Sequence, residues 1–168
     1  MVSPRPLSRF LARRGSALAL AAALVLPAGG AAALAGATPV AAYGGCPARS
    51  GRTACVDLTH QRMWVQKGRR VVFGPVRVRT GRAGYRTRRG LWRIYWRDRH
   101  HYSTIYHVAM PWSQFFSGGQ AFHGLAEPMS TPPGSHGCVN MTYPDARALW
   151  GVLRLGDRVD VFGRKPGT

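Results

Sequence analysis

A cysteine preceded by histidines is the group of residues in this sequence best suited to chemistry. Cys138 closes the stretch Ser135-His136-Gly137-Cys138, and a second histidine, His123, lies upstream in Phe122-His123-Gly124. Only the thiolate form of cysteine attacks carbonyls efficiently, so a cysteine nucleophile needs a base or a cation nearby. In an extended segment the side chain of His136 shares a face with that of Cys138, whereas only the fold brings His123 close. The pattern indicates nucleophilic catalysis.

The glycine between His136 and Cys138 fits the same chemistry. Gly137 lets the backbone approach a substrate closely, and the N–H groups of Gly137 and Cys138 could hold an oxyanion. Two non-catalytic roles stay open for these residues: Cys138 as a buried structural thiol, and His123, His136 and Cys138 as zinc ligands that lack a clear fourth partner. The remaining histidines have no motif around them and are predicted to be surface or turn residues: His60, His100, His101 and His107.

The elements that must position these residues are short strands separated by turns, followed by one helix. Alternating apolar residues predict strands over 56–59, 62–66, 71–73, 76–80, 91–96, 105–110, 120–123 and 158–162. Thr142 as cap, Pro144 near the first position and apolar residues at helical spacing from Ala146 to Leu153 predict the helix. A compact, mainly β domain follows. The aromatic residues Trp92, Trp96, Trp112, Phe115 and Phe116 are core candidates, and 112–116 equally could wall a substrate cleft.

The motif residues resemble a known family. His123-Gly124 followed by Ser135-His136-Gly137-Cys138-Val139-Asn140 resembles the signature of the L,D-transpeptidase catalytic domain, the YkuD-like family of cell-wall enzymes. Further blocks in the family's order are similar, and together they span residues 55–162: Cys55–Val65, Pro75–Gly81, Thr87–Gly90, and Met110-Pro111 ahead of Gly118-Gly119. The resemblance implies a compact YkuD-like β-sandwich with one or two helices, one of them after the cysteine motif.

The resemblance also implies a role for each motif residue. Cys138 would be the nucleophile, kept ionised by its imidazole neighbour, and His123 the general base, oriented by the carbonyl of Gly124. His136 would support the thiolate, with Gly137 beside it in the catalytic group. Substrate-binding residues are expected at Ser135, Asn140, Trp112, Gly119 and Phe122, with Asn140 also bracing the loop. No metal and no cofactor is expected, and the segment between His123 and Ser135 is short for the family.

The implied reaction acts on peptidoglycan stem peptides. Cys138 would take the acyl group of a stem tetrapeptide, release D-alanine, and pass the acyl group to an amine of a neighbouring stem, giving a 3→3 cross-link. If water is the acceptor, the enzyme is an L,D-carboxypeptidase. Carbapenems should acylate Cys138. The alternatives are a basic protein that binds cell-wall polymers or other polyanions without catalysis, and a wall-binding module that has lost its chemistry. No nucleic acid and no stable protein partner is expected.

The first 42 residues are predicted to be a cleaved secretory signal peptide. Arginines at 5, 9, 13 and 14 precede an uncharged, Ala- and Leu-rich run that ends at Ala42. Cleavage could follow Ala35 or Ala42, and the later position is preferred. An uncleaved membrane anchor is the alternative, and Arg13-Arg14 keeps the twin-arginine route as a minor option. The mature protein would lie outside the cytoplasm, secreted or in the cell envelope.

Export favours a disulfide between Cys46 and Cys55. Cys46 lies within an N-terminal segment at 43–54, and Cys55 directly follows this segment. The alternative leaves both cysteines as free thiols. Cys138 would then be the odd thiol. The last residues, 163–168, are predicted to form a frayed tail.

Charge is the strongest compositional feature of this 168-residue chain. Lys+Arg number 24 against Asp+Glu 6, a formal net charge of +18, and removing residues 1–42 still leaves +14. Such an excess predicts polyanionic surroundings without choosing among them. The glycine- and arginine-rich loop at 81–90 holds Arg82, Arg86, Arg88 and Arg89, the best candidates for a cluster that binds anionic cell-wall polymers. The alternative is a solvated basic surface.

Overall fold

Two β-sheets and one helix make up residues 44–168, the part of the chain described by this computed structural model. In chain order the elements are β1 Arg52–Asp57, β2 Arg62–Lys67, β3 Arg70–Arg77, β4 Gly90–Arg93, β5 Trp96–Ser103, β6 Val108–Ser117, β7 Gln120–Gly124, β8 Val139–Met141, α1 Tyr143–Val152 and β9 Arg158–Phe162. The first sheet has the order β3-β2-β1-β9-β4, and the second has the order β5-β6-β7-β8. The predicted fold class, mainly β with a helix after the cysteine motif, is confirmed.

The hydrophobic core lies where side chains of both sheets and of α1 meet. Val56 and Val159 from the first sheet pack in one buried cluster with Phe122 and Val139 from the second sheet and Leu149 from the helix. Burial of these apolar side chains is the main favourable term in holding the sheets together. The core fixes the second sheet, and this sheet carries the cysteine motif.

The register of three strands brings the motif residues together. β7 pairs with β6 in antiparallel fashion and with β8 in parallel fashion, and in the second pair His123 lies opposite Asn140. Cys138 directly precedes β8, so the same register places it beside Ala121. Residues far apart in the sequence motif therefore become neighbours through strand pairing.

The helix begins and ends much as its sequence indicates. The Thr142 side chain accepts a hydrogen bond from the Asp145 backbone N–H, Pro144 lies in the first turn, and Ala146 and Leu149 are buried. The capped helix follows β8 directly and packs on β6 and β7.

Three strand predictions differ from the structure. β3 is a single strand that passes through Gly74-Pro75 and ends at Arg77, where two strands were expected. The segment 91–96 is divided between β4 in the first sheet and β5 in the second. β6 begins at Val108 and continues past Pro111 to Ser117. Pro111 is tolerated because the pairing of β6 with β7 starts only at Gln114, so β6 has a free edge on that side at the proline.

The predicted disulfide between Cys46 and Cys55 is present, with the two Cα atoms 5.9 Å apart. The pair packs against Trp64 and Phe162. The Gln66 side-chain amide donates to the carbonyl of Pro47 at 3.2 Å and ties the same segment to β2. The segment before β1 is thus held covalently and by hydrogen bonds.

The C-terminal residues are docked rather than frayed. The Arg164 backbone N–H donates to Thr59 Oγ1 at 3.0 Å, and Lys165 Nζ donates to the carbonyl oxygen of Thr80 at 3.1 Å. Arg164 Nε also donates to the Thr168 carbonyl oxygen. One backbone donor and the Lys165 side chain thus hold the tail against the rest of the domain.

The predicted signal peptide at 1–42 lies outside the described residues. Within residues 44–168 there is no helix of the length and apolar character needed to cross a membrane.

Candidate active site

Cys138 lines a cavity of about 620 Å³. Its side chain packs against Met110, Phe115 and Ala121, and its Sγ lies 3.9 Å from the carbonyl oxygen of Gly119. Burial raises the pKa of the Cys138 thiol to about 11, although a hydrogen bond from the backbone of Ala121 acts in the opposite direction. The sulfur is therefore within reach of a ligand in the cavity and protonated at neutral pH.

His123 is only 4% exposed and does not line this cavity. Its Nδ1 is 2.9 Å from the carbonyl oxygen of Gly124, and its Nε2 is 3.2 Å from Asn140 Nδ2. A carbonyl oxygen only accepts hydrogen bonds, so Nδ1 carries the proton and Nε2 presents a lone pair. The Asn140 amide group donates to that lone pair.

The environment of His123 favours the neutral imidazole. Burial lowers the pKa of His123 to about 4; the charges of Arg79 and His101 add to this effect, and the hydrogen bond to Gly124 opposes it. With a thiol of raised pKa and an imidazole of lowered pKa, the resting pair is neutral. Burial thus disfavours both charged forms, which acts against the expected ionisation of the Cys138 sulfur.

His136 lines the cavity together with Cys138. Its Nε2 is 2.6 Å from Arg82 Nη2. A guanidinium group only donates, so this Nε2 accepts and His136 is neutral. Burial, and then the charge of Arg82, lower the pKa of His136. Tyr106 stacks on the ring at 4.3 Å and Tyr85 contacts it edge-on at 4.7 Å. The positive charge near the motif is thus carried by Arg82, not by an imidazolium.

Hydrogen bonds within the motif hold its backbone. Ser135 Oγ donates to the Cys138 carbonyl oxygen at 2.6 Å and accepts from the Gly137 N–H at 3.0 Å. Thr87 Oγ1 donates to the Gly137 carbonyl oxygen at 2.9 Å. The Gly137 N–H is therefore occupied, which corrects the expectation that it is free for an oxyanion. Ser135 is a buried positioning residue and does not line the cavity.

Gly137 is a position where only glycine fits. Its φ is +113°, and a Cβ there would collide with the side-chain amide of Gln120. That amide is itself fixed, because Gln120 Oε1 accepts from the Arg88 N–H and Nε2 donates to the Arg86 carbonyl oxygen, both at 2.9 Å. Gln120 and Thr87 thus connect the 81–90 loop to the cysteine motif. Neither was predicted, because polar residues beside turns give no sequence signal for burial.

The expected substrate-binding residues are distributed unevenly. Gly119 lines the cavity of Cys138. Phe122 is 1% exposed and belongs to the core, and Asn140 is buried against His123. Trp112 lines a different pocket, with Tyr143 and Pro144. Phe122 and Trp112 pack with the main hydrophobic core, whereas Met110 and Phe115 pack with Cys138.

An aromatic wall that sequence analysis did not identify completes the cavity. Trp96 stacks on Phe115 with ring centroids 4.4 Å apart, and the ring of His101 packs edge-on against both. The tip of the β5–β6 hairpin adds Ile105, which is 79% exposed, and Tyr106. Partial burial of His101 contradicts its prediction as a surface residue. Strict alternation along β5 places residues five positions apart on opposite faces, so the sequence pattern did not indicate that His101 and Trp96 pack together.

Zinc ligation by His123, His136 and Cys138 was the open alternative to catalysis. Among residues 44–168, no group of three or more His, Cys, Asp and Glu side chains is placed to hold a metal ion.

Comparison with known proteins places this geometry in context. The family model described as L,D-transpeptidase catalytic domain matches residues 51–161. A solved L,D-transpeptidase from Stackebrandtia nassauensis is 44% identical, with a TM-score of 0.70, covering 73% of this chain and 60% of that chain. One from Xylanimonas cellulosilytica is 26% identical, with a TM-score of 0.58, covering 70% of this chain and 64% of that chain.

A third solved structure, an L,D-transpeptidase in complex with imipenem, shares the fold at 16% identity, with a TM-score of 0.58, covering 66% of this chain and 58% of that chain. The chain therefore spans less than two thirds of the length of each of these structures. Among curated proteins the chain has no match.

Proposed function

The chain belongs to the L,D-transpeptidase catalytic-domain family, and from this premise we propose that Cys138 is the nucleophile of a peptidoglycan L,D-transpeptidase. The observation that carries the proposal is a thiol that lines an open cavity beside strand β7, where a buried histidine is held in the tautomer that a base requires. The proposed acyl donor is a stem tetrapeptide.

In the first half-reaction, a proton leaves the Cys138 sulfur for His123 Nε2 as the sulfur attacks the carbonyl carbon of the third stem residue. The bond from that carbon to the nitrogen of D-alanine breaks, the nitrogen takes the proton from His123, and a thioester remains. The Gly124 carbonyl keeps Nδ1 protonated throughout, so that only Nε2 exchanges the proton.

Asn140 responds to that proton transfer. Its amino group donates to the Nε2 lone pair, and its buried Oδ1 has no hydrogen-bond partner in the described part of the chain. Once Nε2 carries a proton, a half-turn of the amide presents this oxygen to it instead. Asn140 thus matches both protonation states of His123 in a site that contains no carboxylate partner for the imidazole.

In the second half-reaction, an amine on the third residue of a neighbouring stem attacks the thioester, giving a 3→3 cross-link and the free thiol. Water as acceptor would make the enzyme an L,D-carboxypeptidase. The aromatic wall around Trp96 and Tyr106 supports the transferase, because partly exposed rings in the cavity of the thiol give a peptide acceptor a surface to pack on.

Mass spectrometry with a carbapenem tests the nucleophile. The solved relative with bound imipenem supports the choice of probe. We expect one covalent adduct on the intact protein, none on Cys138→Ala, and adduct formation slowed about 100-fold or more in His123→Ala, the lower end of general-base effects. His60→Ala, at an exposed histidine, is the matched control and should react like wild type. A folded, reduced protein that forms no adduct would instead favour a non-catalytic wall-binding role.

Product analysis with a purified disaccharide-tetrapeptide separates the two acceptors. Cross-linked dimer together with D-alanine supports transpeptidation, and tripeptide monomer alone supports the carboxypeptidase.

We also propose that residues 1–42 direct export. Expression in a bacterial host followed by N-terminal sequencing of the extracytoplasmic protein should give a start at Tyr43, or at Gly36 if cleavage follows Ala35. An intact N-terminus in the membrane fraction would identify an anchor.

A further inference from the structure

A second cavity, of about 630 Å³, is lined largely by positive charge. We call it the cationic pocket, and it shares with the Cys138 cavity only two residues, Arg86 and Arg88. Five of the residues that line it are cationic: Arg86, Arg88, Arg89, Arg164 and Lys165. Docking of the C-terminal tail creates the pocket, because Arg164 and Lys165 come from the tail and the three other cations come from the 81–90 loop.

Among residues 44–168, no Asp or Glu side chain lines the cationic pocket; Thr168 lines it, and its main-chain oxygen accepts a hydrogen bond from Arg164 Nε at 3.1 Å. The ion pairs between arginines and acidic side chains in the described part of the chain lie elsewhere and include none of the five pocket cations. They are Arg52 with Asp157, Arg62 with Asp57, and Arg79 with Glu127. Five like charges around one cavity repel one another. An anion bound among them would relieve this repulsion.

Three of the cations are held in place by the protein, the first being Arg164, whose Nε donates to the carbonyl oxygen of Thr168. Lys165 Nζ donates to the Thr80 and Pro133 carbonyl oxygens, and Arg88 Nη1 donates to the Ser117 carbonyl oxygen at 3.1 Å. Burial, and then the charge of Arg79, lower the pKa of Lys165. Arg89 is exposed, and its guanidinium group makes no hydrogen bond within residues 44–168. The pocket thus combines fixed charges with free donors for a ligand.

The remaining surface is suited to an aliphatic ligand backbone. Leu58 and the half-buried Trp92 line the pocket, and the indole N–H of Trp92 donates to the Arg88 carbonyl oxygen at 3.1 Å. Single-stranded nucleic acids bind on several exposed aromatic faces in succession. One half-buried tryptophan supplies no such series, so a polyol repeat fits this pocket better than stacked bases.

We propose that the cationic pocket binds the phosphodiester backbone of an anionic cell-envelope polymer. Guanidinium groups match phosphate oxygens in bidentate geometry, and a phosphodiester chain supplies negative charges at short, regular intervals. The cell-envelope source rests on the extracytoplasmic location proposed above. Such a polymer would hold the enzyme on the wall with the Cys138 cavity open, since Arg89, Arg164 and Lys165 lie outside that cavity.

Binding of a poly(glycerol phosphate) chain of defined length tests the proposal. The pocket variant is Arg89→Gln/Arg164→Gln, and the matched control is Arg69→Gln/Arg70→Gln, which removes the same charge from the exposed β2–β3 turn. We expect the pocket variant to bind at least tenfold more weakly at low salt and the control to change less than about threefold. Each phosphate contact contributes about 0.7 to the slope of log Kd against log salt concentration. Loss of two contacts in the pocket variant should therefore flatten that slope by about 1.4.

Several outcomes would overturn the proposal. Equal losses in the two variants would mean that net charge alone attracts the polymer. Tighter binding of a single-stranded oligodeoxynucleotide with the same number of phosphates, lost in the pocket variant, would assign the pocket to nucleic acid. Carbapenem adducts on Cys138 are measured in parallel and should be equal in all three proteins. Polymer binding without an adduct would refute the proposed catalysis and leave the pocket assignment intact.

Discussion

The protonation state of Cys138 at neutral pH can be measured directly, because the other two cysteines form a disulfide and do not titrate. With the pKa of the thiol raised to about 11, about one molecule in 10⁴ carries the thiolate at pH 7. With the pKa of His123 lowered to about 4, about one in 10³ carries the imidazolium. The free enzyme should therefore show neither charged form.

The assay is the ultraviolet absorbance of the thiolate, which the thiol lacks, followed from pH 4 to pH 11. Subtracting the spectrum of Cys138→Ala removes the contribution of the ionising tyrosines. We expect no difference signal at pH 7 and a rise that begins only well above pH 9. In His123→Ala the rise should stay in the same range, because burial rather than the imidazole sets the pKa of the thiol.

A thiolate–imidazolium pair would give the opposite result. The difference signal would already be present at pH 6, and removal of the imidazole would move the transition upward by several pH units. That outcome would refute the inference that Cys138 and His123 are both neutral in the free enzyme and that the proton moves only as the sulfur attacks.

Three further predictions concern stability and loop geometry. The pKa of His123 is lowered from 6.5 to about 4, so on acidification the unfolded chain is protonated at a higher pH than the folded protein. The free energy of unfolding should therefore fall by about 3 kcal/mol as the pH drops from 6.5 to 4. Denaturant titrations should show this fall in wild type but not in His123→Gln. Replacing Cys46 and Cys55 by alanine should lower the free energy of unfolding by about 2–3 kcal/mol, measured the same way, and no change would mean that the denatured chain is not restrained by the disulfide. Gly137→Ala should slow carbapenem acylation at least tenfold at unchanged secondary structure, whereas Gly151→Ala, with open space around the new methyl group, should react like wild type.

Much of the strand content was predictable because burial on one face of a sheet leaves an alternating pattern in the sequence. The pattern failed at residues 91–96, where the chain passes from one sheet to the other. It also failed at Pro111, where β6 is paired on one side only. A period-two pattern records which face is buried, but it does not record which sheet the strand joins. Residues 91–96 therefore resemble one strand although they contribute to two sheets.

The aromatic wall and the cationic pocket were hidden for the same reason. Trp96, His101 and Tyr106 reach the Cys138 cavity from the β5–β6 hairpin, and Arg164 and Lys165 reach the 81–90 loop from the C-terminus. Each set joins residues from separate segments of the chain. Their chemistry is visible in the sequence, but their proximity is not.

The sequence by itself determined the chemical groups: a cysteine and two histidines at motif spacing, a cysteine pair able to form a disulfide, and an excess of arginine. Only the tertiary structure decided their states. Burial disfavours the charged forms of Cys138 and His123, Arg82 donates to His136, and the docked tail adds two cations to three from the 81–90 loop around one cavity. The physical reason is that charge and protonation depend on desolvation and on the neighbours that pairing and packing supply, and neither is encoded in the local order of residues.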